Sequence, residues 1–340
     1  MHIVRLLAVC ALLGALPATA APLRVAATTS DLASLVAIVG GDEVEVTTFA
    51  KGTEDPHFVE AKPSFVKALS QADLLVVTGL DLEVGYLPPL LENARNPAVL
   101  LGGRGYLDAS RAITPLEVPV GVVDRSMGDI HAYGNPHYLA DPLNGLAVAR
   151  LLERKLAELR PAAREGFAQR LEAFRRELGR RLVGATLAEK YDAEKLGTLY
   201  ELGALDEFLA TQGERTALGG WLGRLRPFRG TAFVDDHQLW PYFARRFALE
   251  PVAHMEPRPG IPPTTRHLAE VVALMRARDV RLILASAYYD PRHARFLAEQ
   301  TGARVAVLAH QVGARPGVDD YLGMIDYNVE AIVTALSATP

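Results

Sequence analysis

The sequence predicts an α/β protein of two similar lobes, each a mainly parallel sheet flanked by helices, joined by one long helix. Three observations carry this. Short apolar runs alternate with helical patterns towards both ends of the chain, and strands separated by helices pair in parallel and are covered on both faces. Between those two stretches lies a long amphipathic helical pattern. The chain has 340 residues, 49% of them apolar and 22% charged, enough for two ordinary cores.

Taken in order, residues 1–20 read as a secretory signal. His2 and Arg5 precede an apolar run from Leu6 to Leu16 and the small residues Ala18-Thr19-Ala20, with cleavage expected after Ala20. That run is too short to span a bilayer comfortably, and no later segment approaches about 20 uninterrupted apolar residues. The one cysteine, Cys10, sits inside the run behind Val9, where a lipidated cysteine would want a small residue. A mature chain without cysteine suits an oxidising compartment and excludes thiolate metal sites and cysteine nucleophiles.

Residues 21–160 make the first lobe. Leu23 to Thr28 reads as a buried strand, Asp31 to Val39 as a helix closed by Gly40-Gly41, and Val44 to Phe49 as a second strand. A helix over about Ser64 to Gln71 leads to the apolar strand Leu74 to Thr78. Residues 102–136, rich in Gly, Pro and short polar residues, read as a long loop with a short strand such as Leu116 to Val123. Loops of that length in a compact domain are usually functional or mobile. Asp141-Pro142 then opens a helix, an N-cap carboxylate followed by proline at the first helical position.

Residues 161–190 are the bridging helix, with Phe167, Leu171, Phe174, Leu178 and Leu182 recurring at three- and four-residue steps. Residues 191–229 form a mixed extra segment with a helix around Leu202 to Ala210 and a turn at Gly219-Gly220-Trp221. The alternation resumes over 230–340: strand Thr231 to Asp235, helix Leu239 to Phe247, strand Val252 to Met255, helix Thr265 to Arg278. Strands Arg281 to Ala285 and Val305 to Leu308 follow, with helices between and after them.

Thirty-six Lys and Arg stand against 40 Asp and Glu, a net charge of −4, with the signs interspersed. That balance does not fit a nucleic-acid partner or binding to an anionic membrane. The common enzyme signatures, a G-x-S-x-G elbow, a phosphate loop, a dinucleotide G-x-G-x-x-G and H-E-x-x-H, do not occur.

Nine histidines are the main chemical resource. His57, His137 and His237 all fall in loops at the ends of secondary elements, where open α/β sheets form ligand sites. Their separations of 80 and 100 residues carry no local metal code, and on residue type alone the function stays open. His254 in a strand, and His267 and His293 in helical patterns, read as structural. Asp235 and Asp236 are candidates to orient the His237 ring, or are solvated loop carboxylates.

The words around the three histidines are more specific. Asp55-Pro56-His57 with Glu60, Pro63-Ser64, Ala72-Asp73-Leu74 and Gly79-Leu80, then Asn135-Pro136-His137-Tyr138 with Asp141-Pro142 and Asn144, then His237 with Tyr242-Phe243, stand in one order along the chain. Together with Glu256 to Pro263, Tyr321 and Asn328, they resemble the zinc/manganese-specific solute-binding proteins of ABC importers (cluster A-I) over most of residues 23–336. The resemblance implies a metal held in the cleft between the lobes. It implies binding rather than turnover, with no catalytic residues, and a monomer that captures its ion in the periplasm and docks peripherally on a transmembrane permease.

Three matched histidines favour zinc as the transported ion, because neutral imidazole suits Zn²⁺ whereas Mn²⁺ sites lean towards carboxylates. Members that handle manganese usually carry an acidic residue where His237 stands. Many relatives also place an aspartate in the loop after the last strand, where this chain has His310. The fourth ligand is therefore assigned to Asp290, after Tyr288-Tyr289. His131 and His310 are accessory metal candidates, His131 being the single histidine where zinc binders often carry a His- and acid-rich loop. The alternatives are manganese or iron on the same scaffold, a zinc hydrolase, which would need a general base and an open coordination position, and a surface adhesin, which would need an anchor.

Overall fold

The computed structural model describes residues 21–121, 131–258 and 260–337, so the expected signal segment and part of the 102–136 loop lie outside the described residues. The first lobe opens with β1 (Leu23–Ala27), α1 (Ser30–Gly40) and β2 (Val44–Thr48). It continues through α2 (Pro63–Gln71), β3 (Leu74–Val77), α3 (Leu87–Ala94) and β4 (Tyr106–Asp108) to α4 (Pro142–Leu159). Its strands are all parallel, in the order β2-β1-β3-β4. Every residue of β3 is buried, as expected of a strand covered on both faces.

After α5 (Arg164–Val183), α6 (Ala185–Lys190), α7 (Ala193–Glu201), α8 (Leu205–Thr211) and α9 (Gly220–Leu225), the second lobe repeats the plan. It holds β5 (Ala232–Asp235), α10 (Pro241–Phe247), β6 (Glu250–His254), α11 (Thr265–Ala277), β7 (Leu282–Ser286), α12 (Pro291–Thr301), β8 (Arg304–Leu308) and α13 (Tyr321–Ser337). The second sheet is also parallel, in the order β6-β5-β7-β8. In both sheets the chain leaves its first strand to one side and returns on the other. Each sheet therefore has a switch point, and ligands of such sheets collect at the carboxyl ends of the strands there.

Local chemistry explains the boundaries. The Asp141 carboxylate accepts from Leu143 N at 2.9 Å and caps α4, with Pro142 at its first position. On α5, Phe167, Phe174, Leu178 and Leu182 are buried; the helix packs on α1 and α4 and also on α7 and α9. The helix expected around Leu202 to Ala210 is α8, starting at Leu205, and a separate helix, α7, precedes it and ends at Glu201, with Gly203 at φ 74° in the link between them. Gly220 starts α9 rather than closing a turn. Residues 116–121 form no strand, and β4 lies earlier, at the sheet edge. Among the described residues no helix is long and apolar enough to cross a membrane.

The lobes are pinned to each other near α4. Arg246 on α10 grips Asp141 through two bonds of 2.9 and 3.0 Å, both groups buried. Tyr321, at the start of α13, donates from Oη to the Leu139 carbonyl at 2.8 Å. A Cβ at Gly145 would lie 2.1 Å from that hydroxyl, so the close approach of α4 and α13 requires glycine there. On α1, Asp31 accepts from Val312 N at 2.7 Å, beyond β8. Burial pushes its pKa up to about 7, partly offset by that bond.

Candidate metal centre

His57 and His137 are presented by the same local device. In Asp55-Pro56-His57 the Asp55 Oδ1 accepts from His57 N at 2.9 Å, and in Asn135-Pro136-His137 the Asn135 Oδ1 accepts from His137 N at 2.9 Å. These are Asx turns with proline in the middle, which set the histidine side chain without help from regular structure. Asp55 Oδ1 also lies 2.7 Å from His57 Nδ1. Burial alone would raise the Asp55 carboxyl, but the hydrogen bond and charge of His57 outweigh it and hold it below the usual carboxylate range. A proton kept on Nδ1 leaves Nε2 as a lone pair.

The His137 turn is tied across the cleft. Asn135 Nδ2 donates to Glu117 Oε2 at 2.9 Å and to the Gln238 carbonyl at 2.7 Å, one residue from His237. Tyr242 Oη receives Leu116 N and donates to the Asn135 carbonyl, each at 2.8 Å. Tyr138 Oη donates to the Thr78 carbonyl at the end of β3, also at 2.8 Å.

His237 follows β5 and is buried. Its Nδ1 lies 3.2 Å from Glu256 Oε2, which also accepts from Gly260 N at 2.9 Å. Tyr289, after β7, stacks on the ring with centroids 6.3 Å apart. Asp235 and Asp236 do not orient His237. Asp235 is bonded to His254 Nδ1, and Asp236 accepts from Ser286 N at 2.6 Å, because consecutive residues at a strand end point to opposite faces.

The three rings converge. Ring nitrogens of His57, His137 and His237 all lie within 4.8 Å of one another. Centroid separations are 5.2, 5.9 and 5.8 Å, with rings steeply inclined. His137 Nε2 is buried and has no hydrogen-bond partner among the described residues. Burial, then the charges of His57 and His237, push its pKa well below the usual imidazole value. A buried lone pair left without a proton donor is what a dication recruits, so these residues fit a metal.

Asp290 is not with them. It caps α12, accepting from Arg292 N at 2.9 Å and pairing with the Arg292 guanidinium at 2.8 Å. That side-chain bond, foremost, holds its pKa down at about 2. This corrects the expectation of a fourth ligand there: Asp290 begins a helix as Asp141 does, and its charge is taken by Arg292. His310 lies in the loop after β8, its ring 4.3 Å from that of Tyr288 and its Nε2 3.4 Å from the Glu54 carbonyl. Burial drives its pKa down to about 4. His131 is closer, its Nε2 3.1 Å from His57 Nε2, and burial drives its pKa down to about 3. His254 and His267 hold each other's surroundings together, His267 Nε2 lying 3.0 Å from the His254 carbonyl.

The chain matches the family model described as zinc-uptake complex component A, periplasmic, over residues 25–182 and 219–335. It belongs to that family. It is therefore a metal-binding substrate-binding protein of an ABC transporter, not an enzyme. Among curated relatives it is 24% identical to the metal ABC transporter substrate-binding lipoprotein ScbA of Streptococcus cristatus, over 93% of this chain and 89% of that protein. It is 23% identical to the manganese ABC transporter substrate-binding lipoprotein PsaA of Streptococcus anginosus over the same shares. A zinc-bound deletion mutant of ZnuA superposes with a TM-score of 0.68 at 22% identity, covering 94% of this chain and 100% of the other. The laminin-binding protein of Streptococcus agalactiae gives 0.65 at 22%, covering 92% and 99%. These likenesses give the fold: two parallel-sheet lobes with flanking helices.

Proposed function

We propose that this family member captures Zn²⁺ outside the cytoplasm, as a periplasmic monomer exported by its N-terminal segment, and hands it to the permease of its importer. His57, His137 and His237 are the ligands in this reading. The observation that carries it is the donor set: three imidazoles within 4.8 Å of one another, with the nearby carboxylates of Asp55 and Glu256 bonded to the far sides of the rings. Nitrogen donors of this kind favour zinc over manganese, which binds more weakly to such sites in the general order of divalent affinities. Manganese on the same scaffold is the second reading, favoured by the relatives named for that metal.

The test is a competition titration of metal-free protein with Zn²⁺ and Mn²⁺ against a chromophoric chelator. Zinc should bind more tightly, one ion per chain, and His137→Ala should lose that binding. Tighter binding of Mn²⁺ would overturn the zinc reading.

A further inference from the structure

We propose that His131 supplies the fourth ligand, so that the ion sits among four imidazoles with no carboxylate in its coordination shell. This rests on the zinc reading above and names a residue that sets its specificity. Asp55 keeps the His57 proton on Nδ1, so the His57 Nε2 lone pair faces His131 Nε2 across 3.1 Å. Two nitrogens bound to one tetrahedral zinc at 2.0–2.1 Å stand roughly 3.3–3.4 Å apart. The pair is thus already at ligand spacing. Its ring centroids, 5.2 Å apart, match the 5.2 Å between His57 and His137.

His131 meets the cluster through His57. It stands outside the 4.8 Å group of the other three, so closing the shell over the ion requires the His131 ring to move in towards His137 and His237 while keeping its spacing to His57. The chain is built to allow this. Gly134 N bonds back to the His131 carbonyl at 3.2 Å, making a short turn that ends at the fixed Asn135-Pro136-His137 segment. Tyr133 within that turn is 65% exposed, so little packing resists a small shift. Of the rival donors, Asp290 is engaged with Arg292, whereas His310 holds only its Nε2 near the Glu54 carbonyl and keeps a buried Nδ1 without a partner among the described residues, so it is the rival the test must separate. A shell of neutral nitrogen donors selects against manganese more strongly than three nitrogens and a carboxylate would.

The test uses the full mature chain as metal-free wild type, His131→Ala, His310→Ala and His57→Ala, with circular dichroism to establish that each is folded. Zinc affinity is measured by chelator competition, and zinc-edge X-ray absorption reads the number of imidazoles. His131→Ala should lose more than about 100-fold in affinity, beyond the 10- to 100-fold typical of groups that only orient a ligand. The absorption spectrum should fall from four imidazoles to three, and the preference for Zn²⁺ over Mn²⁺ should narrow. If His131→Ala stays within threefold of wild type with four donors unchanged while His57→Ala abolishes binding, the zinc site stands and the role of His131 is refuted. A larger loss and the missing imidazole in His310→Ala would refute it equally. If His57→Ala binds like wild type, the site reading itself fails.

Discussion

Removing the two carboxylates behind the histidines should weaken zinc binding unequally, and the structure sets the order. Asp55 Oδ1 lies 2.7 Å from His57 Nδ1 and also fixes the His57 backbone at 2.9 Å, so one oxygen sets both tautomer and ring position. Glu256 reaches His237 Nδ1 at 3.2 Å and shares the same oxygen with Gly260 N. Losing a group that orients a metal-bound histidine costs about 10- to 100-fold in affinity. The shorter, doubly used contact belongs at the upper end. Asp55→Ala should therefore lose about 100-fold, or ~2.8 kcal/mol, and Glu256→Ala about 10-fold, or ~1.4 kcal/mol, at 1.4 kcal/mol per decade. Asp55→Asn, which keeps an acceptor but drops the charge, should fall between wild type and Asp55→Ala. The two carboxylates act on different rings, so the double variant should lose about the product of the single effects. Chelator competition at pH 7.5 measures this, with thermal unfolding of the metal-free variants to separate binding from folding. Losses under threefold in both single variants, or a larger loss for Glu256→Ala, would refute the reasoning.

Asp290→Ala should leave zinc affinity within threefold of wild type in the same titration, since that carboxylate serves Arg292 and the start of α12. Arg246→Ala strands the buried Asp141 carboxylate and should destabilise the fold by about 3–5 kcal/mol, read by denaturant unfolding. Burial keeps His137 well down and holds His131 near 3 and His310 near 4, so these rings are already neutral at pH 6. Zinc binding at pH 6 should then release no more than two protons from the five rings, measured by calorimetry in buffers of different ionisation enthalpy; three or more would contradict it. The same depressed values lie below the unfolded imidazole near 6.5, so the unfolded chain takes up protons first. Metal-free stability should hold above pH 6.5 and be lost as pH falls towards 4, a trend that thermal melts across that window would show.

The parallel strands were legible because strands covered on both faces are nearly continuous apolar runs, as in Leu74–Val77 and Leu282–Ser286. The short elements were not. Tyr106–Asp108 is a three-residue edge strand set among glycines, and Leu87–Ala94 opens on Leu-Pro-Pro, which reads as a break until the prolines are placed in the first helical turn. The three histidines could be found through their neighbours, above all the two Asx-Pro-His words. Glu256 could not, since it comes from a different strand end. Its position follows from register alone: Asp235 pairs with His254 across β5 and β6, so the residues two beyond each, His237 and Glu256, emerge side by side. Asp290 was misread because nearness to Tyr288-Tyr289 along the chain says nothing of direction. The signal that could have corrected it was Asp290-Pro291, the same helix-opening pair as Asp141-Pro142.

The arrangement of strong and weak contacts bears on how an ion enters and leaves. The lobes meet near α4 through a buried Arg246–Asp141 pair, the Tyr321 hydroxyl on the Leu139 carbonyl and the Asp31 carboxylate on Val312 N. Parting the lobes there separates a buried ion pair, and leaving either charge buried without the other costs about 3–5 kcal/mol. At the metal end the ties are neutral hydrogen bonds, Asn135 to the Gln238 carbonyl, Tyr242 Oη with Leu116 N and the Asn135 carbonyl, and His310 to the Glu54 carbonyl, each worth about 1 kcal/mol net. A shift of the ligand loops about the α4–α13 junction breaks these bonds one at a time and leaves the buried ion pair intact. Such a motion changes the spacing of the histidines directly, because His57 and His137 ride on the loops of one lobe and His237 on a loop of the other. A partner that drew the Asn135 turn away from both Gln238 and Tyr242 would take His137 from His237 and leave the ion with fewer donors, while the Arg246–Asp141 pair stayed closed.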